Sequence, residues 1–120
     1  MDKYNEVFSD VDNIKQHTER IVADTDLIKK SISAYNALIK EIDNIATKIN
    51  LIAINASIEA SRAGANGATF KIISEEIRGL ADDSHNAADS TRAVSQSDEE
   101  TLTHLISEIA IISENVSDVH

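Results

Sequence analysis

Apolar residues recur along the first half of the chain at alternating spacings of four and three. One row takes Val7, Ile14, Ile21, Ile28, Tyr35, Ile42, Ile49 and Ala56; its companion takes Val11, Thr18, Thr25, Ile32, Ile39, Ala46, Ala53 and Ala60. A four-three repeat sustained over this length marks a helix that supercoils against another helix. Thr18 and Thr25 weaken the companion row far from the chain's middle, while the alanines from Ala46 to Ala60 allow close helix approach.

The pattern returns in the second half. Phe70, Ile73, Ile77, Leu80, Ser84, Ala87, Thr91 and Val94 form a seam that falters at Asp98, Glu99, Glu100 and Thr101. It resumes one position out of step at Leu102, Leu105, Ile109, Ile112, Val116 and Val119. A local change of supercoil is expected at the break. Between the halves stand Gly64 and Gly67; the only other glycine is Gly79, and there is no proline. The backbone can reverse most easily there. Asn66 is the expected N-cap of the second helix and Thr69 a weaker one. Gly79, inside that helix, costs about 1 kcal/mol relative to alanine and suits close packing or a slight bend. The expected fold is all-α, a long antiparallel coiled-coil helical hairpin. Residues 1–63 form its first arm, 64–67 its tip and 68–120 its second arm.

Two further rows extend the picture. Leu38, Ile45 and Ile52 flank the first-arm seam. A two-helix hairpin has little use for them, whereas two hairpins side by side need this wider stripe, so a homodimer forming a four-helix bundle is expected. The alternative is that this row packs on the chain's own second arm. Leu51, Ile54 and Ile58 lie outward, away from the seam, and only near the tip; further out, comparable positions hold Asn44, Lys40 and Lys30. Ile72 points outward on the second arm. An apolar outward row reads as a contact surface for a partner, against the plainer reading of stray exposed aliphatics. Asn55, Glu59 and Arg62 interleave with it. The Glu59–Arg62 pair, at i,i+3, is worth a few tenths of a kcal/mol and suits fixing the register of a contact.

Composition narrows the function. A hydrophobic share of 42% excludes a disordered polar tail, and only 3% aromatics with no tryptophan suits a helical seam better than a compact core. The net charge of -10 argues against nucleic acid and against contact with an anionic membrane. It fits a cytoplasmic protein, or one that meets basic partners. No cysteine is present for a disulfide or thiolate site. The opening MDKYNEVFSD lacks the apolar stretch of a signal peptide, and no run is long enough for a membrane span. If an external stimulus is sensed, another chain or segment does the crossing. His17, His85, His104 and His120 never pair at i,i+3 or i,i+4, so no metal site is expected. GANG lacks the lysine of a phosphate loop, and Glu75–Glu76 and Glu99–Glu100 are neighbours whose side chains diverge on a helix. The chain reads as a non-enzyme without cofactor.

The stretch NLIAINASIEASRAGANGATFKIISEEIRGLADDS, from Asn50 to Ser84, resembles the cytoplasmic signalling hairpin of bacterial chemoreceptors, the methyl-accepting chemotaxis proteins. The matching residues include Asn55, Glu59, Arg62, Ala63, Gly64, Gly67, Phe70, Glu76, Arg78, Leu80 and Ala81, without a gap. The resemblance implies a homodimeric four-helix bundle whose tips gather into trimers of dimers. These bind the histidine kinase CheA and the coupling protein CheW and control kinase activity in chemotaxis. It places the trimer contact on Leu51, Ile54, Asn55, Ile58, Glu59, Arg62 and Ile72. It places the kinase and coupling-protein contact on Asn66, Gly67, Ala68, Ile73, Glu76 and Ile77, and puts Phe70 in the bundle core beside the turn at Gly64 and Gly67.

Departures from the family pattern fall at the tip. Ala65, Ala68 and Thr69 stand where Glu, Arg and Gly are usual, Lys71 and Ser74 replace small apolar residues, and Ser57 and Ser61 replace alanines. These changes leave the hairpin plausible but alter its charges. An alternative function follows: a helical scaffold or adaptor that joins receptor bundles without regulating kinase. Glu99 and Glu100, in SQSDEETLT, faintly resemble a methylation pair but lie close to the tip. The chain has no HAMP segment or ligand-binding domain, and is expected to be a fragment of a larger receptor or a minimal one.

Overall fold

The computed structural model describes residues 2–119, and side chains from Lys3 to Asp118. Two helices make up almost all of it: α1, Asp2–Arg62, and α2, Ala68–Val119, joined by a 3-10 turn at Gly64–Gly67. The long, proline-free stretches explain the uninterrupted helices.

The chain forms two compact units. One is Tyr35–Ser95, which contains the turn; the other comprises the stretches before Tyr35 and after Ser95. In the turn unit, α1 buries Ile39, Ala46, Ala53 and Ala60, and α2 buries Ser74, Ala81, Ala88 and Ser95. In the other unit, α1 buries Val11, Thr18, Thr25 and Ile32, and α2 buries Leu102, Ile109 and Val116. Each helix therefore uses one heptad position throughout, and each unit is a helix pair zipped along that position.

The first-arm companion row is this seam. The second-arm reading needs correction. Phe70, Ile73, Ile77, Leu80 and Val94 are not inside the hairpin; each is more than a third exposed. The interior of α2 runs Ser74, Ala81, Ala88, Ser95, Leu102, Ile109, Val116 with no skipped residue, so the out-of-step resumption at Leu102 does not occur in the buried row. The cause is size. Small residues fill the interior on both helices near the turn, and the bulky aliphatics that dominate the pattern occupy other faces.

Polar members of the seam satisfy themselves locally. Thr18 Oγ1 donates to the Ile14 carbonyl at 2.7 Å, Thr25 Oγ1 to that of Val22 at 2.8 Å, and Ser74 Oγ to that of Phe70 at 2.8 Å. Ser95 Oγ donates across the pair to Asn36 Oδ1 at 2.6 Å. Buried hydroxyls bonded in this way avoid the penalty of an orphaned donor. Gly79 has open space around it, so it serves no close packing. The 3-10 turn runs directly into α2 at Ala68; Thr69 lies inside the helix, and neither it nor Asn66 caps it.

Two aliphatic rows stay uncovered. At about 100° per residue, the residues one before and three after each buried position lie on one side of it. On α1 these are Leu38, Ile42, Ile45, Ile49 and Ile52; on α2 they are Phe70, Ile73, Ile77 and Leu80, all exposed in the single chain. Phe70, at 69% exposure, is thus in no core that one chain provides.

Candidate functional site

The turn is built from two glycines with different duties. Gly64 takes φ 66°, the left-handed conformation that ends α1, where the Ala63 amide still donates to the Glu59 carbonyl at 3.1 Å. Gly67 is buried against α1, and a Cβ there would lie 2.0 Å from the Ala60 carbonyl oxygen. The tip therefore closes only if this residue has no side chain.

Around the turn, outward apolar residues stand on both helices, each pointing away from the helix it pairs with. Leu51 is 56% exposed and Ile72 61%, and each stands two residues before a buried position, Ala53 and Ser74. Ile58 is exposed and Ile54 half-buried beside them, with Asn55 exposed between. Arg62 Nη1 donates to Glu59 Oε1 at 3.0 Å, both side chains largely in solvent. An exposed pair of this kind contributes little stability.

The residues assigned to the kinase contact are not all together. Asn66, Ala68 and Glu76 are exposed near the turn, while Gly67 is buried in it. Ile73 and Ile77 fall with Phe70 and Leu80, on the side of α2 away from Ile72. Glu99 and Glu100 lie on the surface of α2 beyond Ser95, in the unit without the turn.

A polar cluster was missed. Asp43 on α1 bridges two residues of α2: His85 Nδ1 donates to Asp43 Oδ1 at 2.9 Å, and Arg92 Nη2 to Asp43 Oδ2 at 2.7 Å. Arg92 Nη1 also donates to Asp89 Oδ1 at 2.7 Å, and His85 Nε2 lies 3.4 Å from Thr47 Oγ1. Asp43, His85 and Arg92 each stand four residues after a buried position, so a correct register for α2 would have paired them in advance. Arg92, then His85, holds the Asp43 carboxyl below its usual value of 3.8. A lowered carboxyl stabilises the fold above its unfolded value, and that contribution is lost as pH falls through the folded value. The acid-induced drop in melting temperature below about pH 4 should therefore be shallower in Asp43→Asn than in the wild type. Circular dichroism melts at stepped pH would check this; parallel curves would contradict it.

On the opposite side from the aliphatic rows, an open groove of about 550 Å³ runs between the helices beside the turn. Ile54, Ser57, Ile58, Lys71, Ser74 and Arg78 are among its lining residues. Among the described residues, no group of three His, Cys, Asp or Glu could hold a metal, and no helix is long and apolar enough to cross a membrane.

The geometry is that of a helix pair with a glycine tip, an outward apolar face and an exposed ion pair beside it. Residues 4–120 match the methyl-accepting chemotaxis protein (MCP) signalling domain. The chain belongs to this family. Relatives of the signalling domain agree. A sensory transducer protein of Acetivibrio thermocellus is 47% identical over 64 residues, covering 53% of this chain and 12% of that protein. The methyl-accepting chemotaxis proteins TlpA and McpB of Bacillus subtilis are 33% and 35% identical, covering 82% and 78% of this chain. The chain spans 13% of the length of each of these two. As a methyl-accepting chemotaxis protein signalling domain, it presents its tip residues on two faces, one built from the aliphatic rows and one from the outward row.

Proposed function

We propose that this chain is the kinase-controlling tip of a chemoreceptor, acting in chemotaxis signal transduction without catalysis of its own. Its aliphatic rows pair two copies into a four-helix bundle, with Phe70, Ile73, Ile77 and Leu80 in the shared core. Leu51, Ile54, Asn55, Ile58, Glu59, Arg62 and Ile72 then join bundles at their tips into a trimer of dimers. Asn66, Ala68 and Glu76 contribute to the surface met by the kinase CheA and the coupling protein CheW. The observation that carries the reading is the outward apolar face at the glycine tip of a chain in this family. Large apolar patches left exposed by a fold are partner surfaces.

Pull-down of purified CheA and CheW from the same organism by the intact chain tests it. Retention of both is expected; failure of both to bind, with the helices intact, would remove kinase control. Substitution Ile54→Glu or Ile58→Glu should leave the dimer in place and abolish association between tips, read by sedimentation velocity and crosslinking. Loss of the dimer in these variants would mean the outward face is misassigned.

The neutral Ala65 and Ala68 at the turn favour a second reading, a scaffold that joins receptor bundles silently. It requires co-assembly with full-length receptors and no change of kinase activity in either direction.

A further inference from the structure

Asp43 and Thr47 close both sides of the His85 ring. Nδ1 meets Asp43 Oδ1 at 2.9 Å, and Nε2 meets Thr47 Oγ1 at 3.4 Å. The Thr47 hydroxyl donates its hydrogen to the Asp43 carbonyl at 3.0 Å, so it turns a lone pair toward the ring. The Asp43 carboxyl, held below its usual value first by Arg92 and then by His85, is ionised at neutral pH and only accepts. Both ring nitrogens therefore face acceptors. The charged ring, a donor at each nitrogen, satisfies both, and a neutral ring has one donor too few.

The ring stands where a small contact matters. Among the described residues of the turn unit, Asp43 makes the only ion pairs between α1 and α2, with His85 and Arg92. The interior at this level is Ala46, Ala81 and Ala88, which bury little apolar area, so polar contacts carry a larger share of the grip between the helices. The His85 side chain is 33% exposed, on the side away from the aliphatic rows, so pairing of two copies along those rows leaves it open to solvent protons. The charged groups that face it are Asp43 from α1, and Asp82, Asp89, Arg78 and Arg92 along its own helix, with Asp89 bonded to Arg92. Thr47 and Asn50 bring no charge. Carboxylates and guanidinium groups keep their charge between about pH 5 and 8, whereas histidine changes its charge there.

We propose that His85 is a proton-operated latch between the two helices of the turn unit. Charged, the ring grips α1 at Asp43 and Thr47 together. On deprotonation it loses the Nε2 proton to solvent and keeps the Nδ1 proton, because Asp43 can only accept. Nε2 is then an acceptor, and the Thr47 hydroxyl swings from the Asp43 carbonyl to donate to it. That carbonyl keeps the Thr47 amide as its helical donor, so the swap orphans no group and reverses freely. What changes is charge: the bond between Asp43 and His85 goes from one between opposite charges to one with the carboxylate charge alone, and is weaker. The grip of the turn unit therefore loosens as pH rises. The latch is internal to the hairpin and holds whichever partner the tip meets.

Two measurements test it. The first reads the ring itself, by nitrogen NMR of the intact chain labelled with 15N at histidine. At about pH 5.5 both His85 nitrogens should carry protons; at about pH 8.5 the proton should remain on Nδ1 and be absent from Nε2. A neutral ring protonated at Nε2 would overturn the latch, since Nδ1 would then face the Asp43 carboxylate without a hydrogen. The second compares thermal melts of the wild type and His85→Gln, which offers Asp43 a neutral donor. Stability supplied by the charged ring is present at the acid end and is lost as the ring gives up its proton. The wild type should therefore gain about 2–4 °C on the variant between about pH 8.5 and pH 5.5. His17, His104 and His120 are common to both chains and drop out of the difference. A difference that stays constant, or that grows toward alkaline pH, would overturn the latch. If His85→Gln fails to fold, the NMR result on the unmutated chain decides alone.

Discussion

Replacing Gly67 with alanine should separate the helices at the tip. The added Cβ would lie 2.0 Å from the Ala60 carbonyl oxygen, with the Ala60 carbonyl carbon and Cα at 2.8 and 2.9 Å. All three are backbone atoms of α1, so no rotamer change relieves the clash. One helix must move, and the small-residue packing of Ala60 and Ser74 is lost with it. Overpacking against backbone should cost about 3 kcal/mol or more. Gly64 gives the contrast. It holds φ 66° but has open space where a Cβ would stand. Alanine there should cost only about 1–2 kcal/mol of left-handed strain. Urea unfolding followed by circular dichroism measures both. Equal losses at the two positions would mean that the close approach of Gly67 to α1 is absent.

The second large effect concerns the uncovered aliphatic rows. Introducing Ile45→Glu and Ile52→Glu together should weaken the proposed dimer about 1,000-fold or more. In one chain Ile45 is 48% and Ile52 66% exposed, while the hairpin interior beside them is alanine and serine. Covering each large aliphatic in a second copy is worth about 1.5–3 kcal/mol. The double substitution exchanges that gain for charges without partners, each costing several kcal/mol if buried, and twofold symmetry doubles the effect. Sedimentation equilibrium over a concentration series reads the change. An unmutated chain that sediments as a folded monomer would remove the four-helix bundle.

The first arm was largely legible in the sequence. Its companion row is the buried row, because Ile32 and Ile39 mark the register and the alanines continue it. The turn was legible too, since Gly64 and Gly67 are the only breakers in the middle of the chain. The second arm was not. Near the turn its interior is Ser74, Ala81, Ala88 and Ser95, and a search for bulk selects Ile73, Ile77 and Leu80 instead. Those residues follow a heptad as regular as the true one, displaced to another face. The apparent break at Asp98–Thr101 is where the bulky row changes from one face to another, while the small-residue seam runs on. The same displacement hid the bridge from Asp43 to His85 and Arg92, whose partners lie 42 and 49 residues away. Only the paired register of both helices brings them together.

The outward face at the tip was legible for a different reason. Leu51, Ile58 and Ile72 fall where the rest of the outward face is polar or charged, so they stand out against it, and they remain exposed in the folded chain. What they meet is a question about other proteins. Kinase autophosphorylation answers it most directly. Purified CheA and CheW, mixed with the intact chain, should phosphorylate at a rate clearly different from the same mixture without it, and Ile58→Glu should abolish the difference. A rate that does not change when the chain is added, although it co-sediments with both proteins, would contradict kinase control.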